Sequence, residues 1–265
     1  MRIDLYLVEK GFCESRSRAA RLIAEGKIVL DGKSVTKASF DVDEGEHKIE
    51  ITELDRFVGR GGLKLEGAIE RFDIDVEGKR CIDVGASTGG FTDCLLQHGA
   101  AHVCAVDSGR GQLHTKLLED IRVTSLEGFN ARALTPKEFG YFDVAVMDVS
   151  FISQTLIHKP LSSVLKDGAV FITLIKPQFE SGKSALGKGG IVKKASDRYA
   201  AVIRVLDSAA MCDFQLLGVM RSPIDGGDGN REFLVEFIRM SGESGRVSAE
   251  TVRRVTGARA SDRKE

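Results

Sequence analysis

Four charged residues sit where an apolar run or a glycine cluster gives way to polar sequence. They are Lys64 after Gly59-Arg60-Gly61-Gly62, Asp148 in Val146-Met147-Asp148-Val149-Ser150, Lys176 in Leu174-Ile175-Lys176-Pro177-Gln178, and Glu232 in Gly229-Asn230-Arg231-Glu232-Phe233. Amines and carboxylates gathered around one bound molecule can orient it and exchange protons with it. Each alone is more often a solvated terminus, but Pro177 and the apolar run before Lys176 fix a cation just beyond a buried strand. A second feature has the parts of a ligand cradle. Cys81-Ile82-Asp83-Val84-Gly85-Ala86-Ser87-Thr88-Gly89-Gly90-Phe91-Thr92 joins an apolar strand, glycines that admit close backbone approach, and a helix start with free N–H groups. A triphosphate loop is excluded because Phe91, not Lys-Ser/Thr, follows Gly90. A dinucleotide turn is disfavoured because Ser87 stands where Gly-x-Gly-x-x-Gly needs glycine. Asp107 lies 22 residues beyond Gly85, close to the roughly 20 expected of an acid that hydrogen-bonds ribose hydroxyls. The plain alternative is a tight turn in a doubly wound fold.

These residues can meet only if the chain between them alternates strands and helices. Strands are expected at Cys81 to Val84, His102 to Asp107, Val123 to Leu126, Phe142 to Asp148, Ala169 to Ile175, Gln215 to Arg221 and Phe233 to Ile238. Helices are expected at Gly89 to His98, Gly111 to Leu118, Ile152 to Leu165 and Ala195 to Cys212. The alternation predicts an α/β domain, a doubly wound parallel sheet covered by helices on both faces. Only Ser222 to Glu232 separates the last two strands, too little for a helical crossover, so they should pair antiparallel. Ligands of such sheets bind outside the carboxyl ends of the strands, where Asp148 and Lys176 end theirs and where an antiparallel last strand brings Glu232. Lys64 lies at the margin of a helix stripe made of Leu65, Ala68, Ile69 and Phe72.

Residues 1–53 read as a separate small α+β unit. Ser15 is a cap for a helix with Ala19, Leu22 and Ile23 on one face and Gly26 as its stop. Lys27 to Leu30, Asp31-Gly32 and Lys33 to Thr36 read as strand, two-residue turn and returning strand. Residues 1–40 hold eight Lys or Arg against five acids, so Arg2, Arg16, Arg18, Arg21, Lys27 and Lys33 can form a phosphate-tracking face. A solvated helix face is the bland alternative from charge alone.

Resemblance sharpens these readings. Asp83 to Thr92, as Asp-x-Gly-x-x-x-Gly-Gly, is similar to the loop that holds the methionine part of S-adenosyl-L-methionine, and by analogy Glu127, Gly128, Phe129 and Asn130 should flank the adenine. A Rossmann-like sheet with an antiparallel last strand is the shape common to methyltransferases that use this cofactor. Arg2 to Val8, Ser15 to Ile23, Gly26-Lys27-Ile28 and Asp31 to Val35 resemble the RNA-binding module named after the fourth protein of the small ribosomal subunit. Arg60 to Leu65, Met147 to Phe151, Ile175 to Glu180 and Asn230 to Phe233 look like the TlyA family, which joins that module to an FtsJ-type ribose methyltransferase. The resemblance implies a catalytic tetrad of Lys64, Asp148, Lys176 and Glu232. It also implies ribosomal RNA or ribosomal subunits as partner, with methylation at cytidine 2′-oxygens. In that chemistry Lys176 would position and deprotonate the hydroxyl, Asp148 and Glu232 would orient the amines, and Lys64 would balance charge. The segment Glu180 to Lys194 suggests a mobile loop that closes on the RNA backbone, with Lys183, Lys188 and, separately, Arg60 as RNA-binding candidates; an ordinary surface loop is the alternative.

Composition bounds the rest. The 265 residues, 42% hydrophobic and 29% charged, fit one main domain plus a small appendage. The expected division is 1–53 for the RNA-binding unit, 54–61 for a linker, 62–240 for the methyltransferase domain and 241–265 for a polar, poorly ordered tail. Five scattered cysteines without Cys-x-x-Cys or paired histidines suggest a reduced, cytoplasmic, metal-free protein. A net charge of −1 makes any nucleic-acid face local. No apolar run approaches the roughly 18 residues of a bilayer helix, so no stable membrane insertion is expected. Some members of the family carry a haemolysin label, which makes a membrane-active protein the second functional hypothesis. A catalytically silent RNA-binding protein and a small-molecule methyltransferase are the others.

Overall fold

The structure, a computed structural model, describes all residues except Glu25, Glu44, Glu46, 52–55, 227–228, 241–247 and 259–265. It divides into Met1–Arg56 and Phe57–Glu265.

In the first unit, α1 (Ile3–Glu9) and α2 (Arg16–Ala24) precede β1 (Ile28–Leu30), β2 (Lys33–Val35) and β3 (Ile49–Ile51), in the sheet order β2-β1-β3. The Ser15 hydroxyl oxygen accepts the Arg18 amide at 3.3 Å, as expected of a cap. Asp31 and Gly32 both have positive φ, 48° and 78°, the two-residue turn whose twist matches its strands. Two elements were not anticipated. Helix α1 is only seven residues long, yet Ile3, Tyr6 and Leu7 fall on one face and are buried. Strand β3 alternates Ile49-Glu50-Ile51 and pairs antiparallel with β1, its signal masked by the acidic stretch before it.

The second unit begins with α3 (Gly61–Phe72), then β4 (Arg80–Val84), α4 (Gly90–Gln97), β5 (His102–Asp107), α5 (Thr115–Leu118) and β6 (Val123–Glu127). It continues through α6 (Pro136–Phe139), β7 (Phe142–Met147), α7 (His158–Ser163), β8 (Leu165–Ile175), α8 (Pro177–Glu180), α9 (Ala195–Ala210), β9 (Phe214–Arg221), β10 (Phe233–Arg239) and α10 (Ala249–Thr256). The sheet order is β6-β5-β4-β7-β8-β10-β9, with β4 to β8 parallel and β10 antiparallel to both neighbours. Alternate strand residues face opposite layers: Ile82 and Val84 join one core with Val202 and Val205 of α9, and Cys81 joins the other with Leu65 of α3 and Leu95 of α4. Strand order reverses between β4 and β7, so their carboxyl ends open the crevice where doubly wound sheets bind ligands.

Several boundaries differ from expectation. The helix expected at Gly111 to Leu118 shrinks to α5, because the amides of Gly111, Gln112 and Leu113 all donate to the Glu127 carboxylate and form a turn. The helix expected at Ile152 to Leu165 is a 3-10 turn, Gln154–Leu156, followed by α7, and Leu165 already belongs to β8. The linker expected over 54–61 is packed from Phe57 onward: Phe57 is buried, the Val58 amide donates to Asp93 Oδ2 at 2.8 Å, and Gly61 opens α3. The poorly ordered tail expected from 241 does not hold for Ala249–Thr256. Ser248 caps α10, Gly257 ends it at φ 76°, and Val252 is buried against the core. Its mostly polar sequence hid a single apolar contact stripe, Val252 and Val255.

Candidate active site

Strand register fixes the geometry. Val84, Met147 and Thr173 lie side by side on β4, β7 and β8, and Phe233 of β10 faces Ile175 of β8. Residues just past these positions therefore leave the sheet at one edge: Gly85, Asp148, Lys176 and, on the strand of opposite direction, Glu232. The four expected ionisable residues join as two ion pairs. Lys176 Nζ lies 2.6 Å from Asp148 Oδ1 and donates to Ser150 Oγ at 2.8 Å. The contact with Asp148 Oδ1 is ionic rather than an aligned hydrogen bond, since that oxygen has no hydrogen-bond partner among the described residues. Lys64 Nζ donates to Glu232 Oε2 at 2.5 Å, with side-chain exposures of 10% and 3%. Lys64, placed by the sequence at a helix margin, is buried.

The glycine turn is built against this edge. Gly85 has φ 86°, and a Cβ there would lie 2.6 Å from the Asp148 carbonyl oxygen, so the backbone of β4 approaches that of β7 as only glycine allows. A cavity of about 400 Å³ opens beside it, lined by Gly85, Ser87, Asp107, Phe129, Asn130 and Asp148 among the expected residues. Its size suits a nucleoside-like ligand. Asp107 Oδ2 accepts the Ser87 amide at 2.8 Å and Oδ1 the Gly109 amide at 2.7 Å, which locks the glycine turn to the next loop. Ser108, Gly109, Gln112, Ser150, Phe151 and Ile157 also line the cavity and were not anticipated. Ser150 and Phe151 stand in a run already singled out around Asp148, so proximity to the acid was their available signal.

Other expected cofactor contacts are outside the cavity lining. Phe91 is buried in the core beneath Gly61. Gly90 abuts Gly59 and Gly62, and Thr88 lies against Gly59. Ala86 is buried, and Gly89 caps α4 with φ 95°. The Glu127 carboxylate is occupied by three backbone amides, which hold its pKa below the ordinary value, and Gly128 is covered by the Arg110 guanidinium.

Thr92 donates to Asp83 Oδ2 at 2.7 Å, and both side chains are fully buried. Burial, with Asp148 and Asp107 adding repulsion against the Thr92 hydrogen bond, pushes the Asp83 carboxyl from 3.8 up to about 7. The folded state then holds this proton more tightly than the unfolded chain does. The stabilisation is full below about pH 4 and lost as pH rises through about 7. Asp83→Asn, which keeps an oxygen for Thr92, should remove that slope. Denaturant melts should show the wild-type advantage over the variant shrinking across this window; parallel stability curves would refute it.

The basic residues are more heterogeneous than their sequence suggests. Arg2 and Arg16 both grip the buried Asp4 carboxylate at 3.0 Å yet keep 48% and 56% of their side chains exposed. Arg18 pairs with Glu14 at 3.6 Å, while Arg21 and Lys27 are half-buried and Lys33 is exposed. In the second unit Arg60 donates to the Asp225 carbonyl at 3.2 Å, Lys188 is exposed and Lys183 opens a 3-10 turn. The loop expected to be mobile is anchored over its second half. Asn230 accepts the Val192 amide and donates to the Gly190 carbonyl, and buried Arg198 donates to the carbonyls of Val192 and Lys193.

A switch-point cavity, a glycine turn, an acid at the end of the second parallel strand and an antiparallel last strand define the doubly wound methyltransferase class. A structure described as an S-adenosylmethionine dependent methyltransferase from Listeria monocytogenes shares the fold at TM-score 0.53 and 15% identity, covering 69% of this chain and 100% of that one. Residues 57–239 match the FtsJ-like methyltransferases and residues 1–47 the S4 domain. The chain belongs to the TlyA family, FtsJ-like methyltransferases with an S4 domain. The 16S/23S rRNA (cytidine-2'-O)-methyltransferase TlyA of Mycobacterium tuberculosis (strain CDC 1551 / Oshkosh) is 43% identical over 236 residues, 88% of each chain. A solved structure described as a hemolysin from Streptococcus thermophilus is 39% identical at TM-score 0.78, covering 97% of this chain and 94% of that one.

Proposed function

We propose that the protein transfers a methyl group from S-adenosyl-L-methionine to a cytidine ribose 2′-hydroxyl of ribosomal RNA in the cytoplasm. The observation that carries this reading is the Lys176–Asp148 pair, with Ser150, at the rim of a nucleoside-sized cavity. Gly85 and Ser87 would hold the amino-acid part of the cofactor, Asp107 its ribose, and Phe129 with Asn130 its base. When bound, that cofactor supplies an electrophilic methyl group on a sulfonium. The chain's own task is to align the hydroxyl and take its proton. Lys176 first releases its extra proton to solvent, then as the neutral amine accepts the hydroxyl proton at Nζ, while Asp148 orients the amine and balances the charge that returns to it. Glu232 fixes Lys64, whose charge offsets the nearby acids. Phe151, 92% exposed at the cavity rim, offers a face on which a splayed-out base can stack. The S4 unit and the exposed Lys188 and Arg60 track the RNA backbone. Among the described residues no helix is long and apolar enough to cross a membrane.

The test is transfer of labelled methyl to separate ribosomal subunits that lack the modification, followed by nucleotide mapping. Label on a cytidine 2′-oxygen is expected. Label on a base, or none on either subunit, refutes the proposal.

A further inference from the structure

Glu180 has a carboxylate, 3% exposed, that takes no part in the chemistry above. Its Oε2 accepts the Ser153 hydroxyl at 2.6 Å and its Oε1 the Gln154 amide at 2.9 Å. Gln154, 1% exposed, in turn accepts the Thr173 hydroxyl at 2.7 Å and donates to the Leu174 carbonyl at 3.4 Å. Arg204 secures the other side of Glu180 by donating to its carbonyl at 2.8 Å. Among the described residues, the partners of this buried carboxylate are thus a hydroxyl and a backbone amide. Burial of a charge on such terms is costly, and it is best explained by a need for fixed geometry.

The connectivity supplies that need. Asp148 starts the segment that ends at Ser153 and Gln154, and Lys176 starts the single turn, α8, that ends at Glu180. The Lys176–Asp148 pair ties the near ends together, and Glu180 ties the far ends, which closes a ring around the reacting edge. Inside that ring Phe151 has φ 64°, a left-handed conformation that a bulky residue keeps only when its surroundings enforce it. Ser150, bound to Lys176, holds one flank of Phe151, and the clasp at Ser153 holds the other.

We infer that Glu180 is a positioning residue for methyl transfer: through Ser153 and Gln154 it fixes the turn that presents Ser150 and Phe151 beside Lys176. The inference rests on the methyltransferase reading above. A misplacement of about 1 Å can lower a rate roughly a hundredfold, so Glu180→Ala should reduce kcat per cofactor-binding site by about 10- to 100-fold. Cofactor affinity should fall by much less than kcat, because Glu180 is outside the cavity lining and, of that lining, only Ser150, Phe151 and Ile152 lie in the turn it fixes. Glu180→Gln keeps an oxygen for the Gln154 amide and can donate to Ser153, so it should restore most of the rate. Amide hydrogen exchange across residues 150–156 should quicken in Glu180→Ala and return to normal in Glu180→Gln. Should Glu180→Ala not fold, Ser153→Ala removes one of the two clasp bonds and should lower kcat about 3- to 10-fold. Unchanged kcat in the alanine variants, or a loss that merely tracks lost cofactor binding, overturns the inference. A wild-type protein that transfers no methyl to ribosomal RNA instead sinks the parent reading. In that event exchange across 150–156 still decides the clasp: faster in Glu180→Ala supports it, unchanged overturns it.

Discussion

Lys176→Ala should lower single-turnover methyl transfer by about a thousandfold, within the range that general acid–base groups supply. S-adenosyl-L-methionine binding should change little. The two parts separate because Lys176 is outside the lining of the cavity, whereas Gly85, Ser87, Asp107, Phe129 and Asn130 are in it. The amine lies at the rim, held by Asp148 at 2.6 Å and by Ser150 at 2.8 Å, where a ribose hydroxyl would enter. Lys176→Arg discriminates between two roles for this group. A guanidinium keeps the positive charge and its ion pair but cannot give up a proton at any working pH. If Lys176 acts as the proton acceptor, the arginine variant is as slow as the alanine variant. An arginine variant within tenfold of wild type would reduce Lys176 to a fixed charge and refute its role as base.

Much of this arrangement was legible because local chemistry and global topology point the same way. The glycine turn, Asp107 and the strand ends at Asp148 and Lys176 follow from strand periodicity plus the rule that such sheets bind ligands at their carboxyl edge. Which of the expected residues line the cavity was not legible: Phe91, Thr92 and Glu127 were among the expected cofactor contacts, and they are outside its lining. Turn register decides this, and it depends on hydrogen bonds such as Glu127 to the amides of Gly111 through Leu113. The ring through Glu180 was illegible for a similar reason: Ser153 and Glu180 are 27 residues apart and meet only once β7 and β8 are paired. Short elements were missed where one or two turns carry the whole signal, as in α1 and α10. The sequence around Lys64 revealed its face but not its burial, because the mate that makes burial tolerable, Glu232, is 168 residues away.

That buried pair carries the second large expectation. Glu232→Ala leaves an ammonium that is 10% exposed without its counter-charge, and removal of one partner of a buried pair typically destabilises by about 3–5 kcal/mol. Part of the chain's stability is then lost along with activity, so the single variant alone cannot separate folding from chemistry. The double variant Lys64→Met with Glu232→Leu can. Replacement of both charges by apolar groups of similar volume is often neutral or stabilising, since neither ion must be desolvated. The double variant should therefore recover most of the melting temperature lost in Glu232→Ala and should still bind cofactor, because neither residue lines the cavity. Methyl transfer should nonetheless remain at the level of Glu232→Ala. Such a result would mean that the pair is kept for its field at the reacting edge, at some cost in stability, rather than to hold α3 against the start of β10. A double variant that folds and transfers methyl at a near wild-type rate would remove Lys64 and Glu232 from the catalytic machinery and leave Lys176, Asp148 and Ser150 as the groups that act.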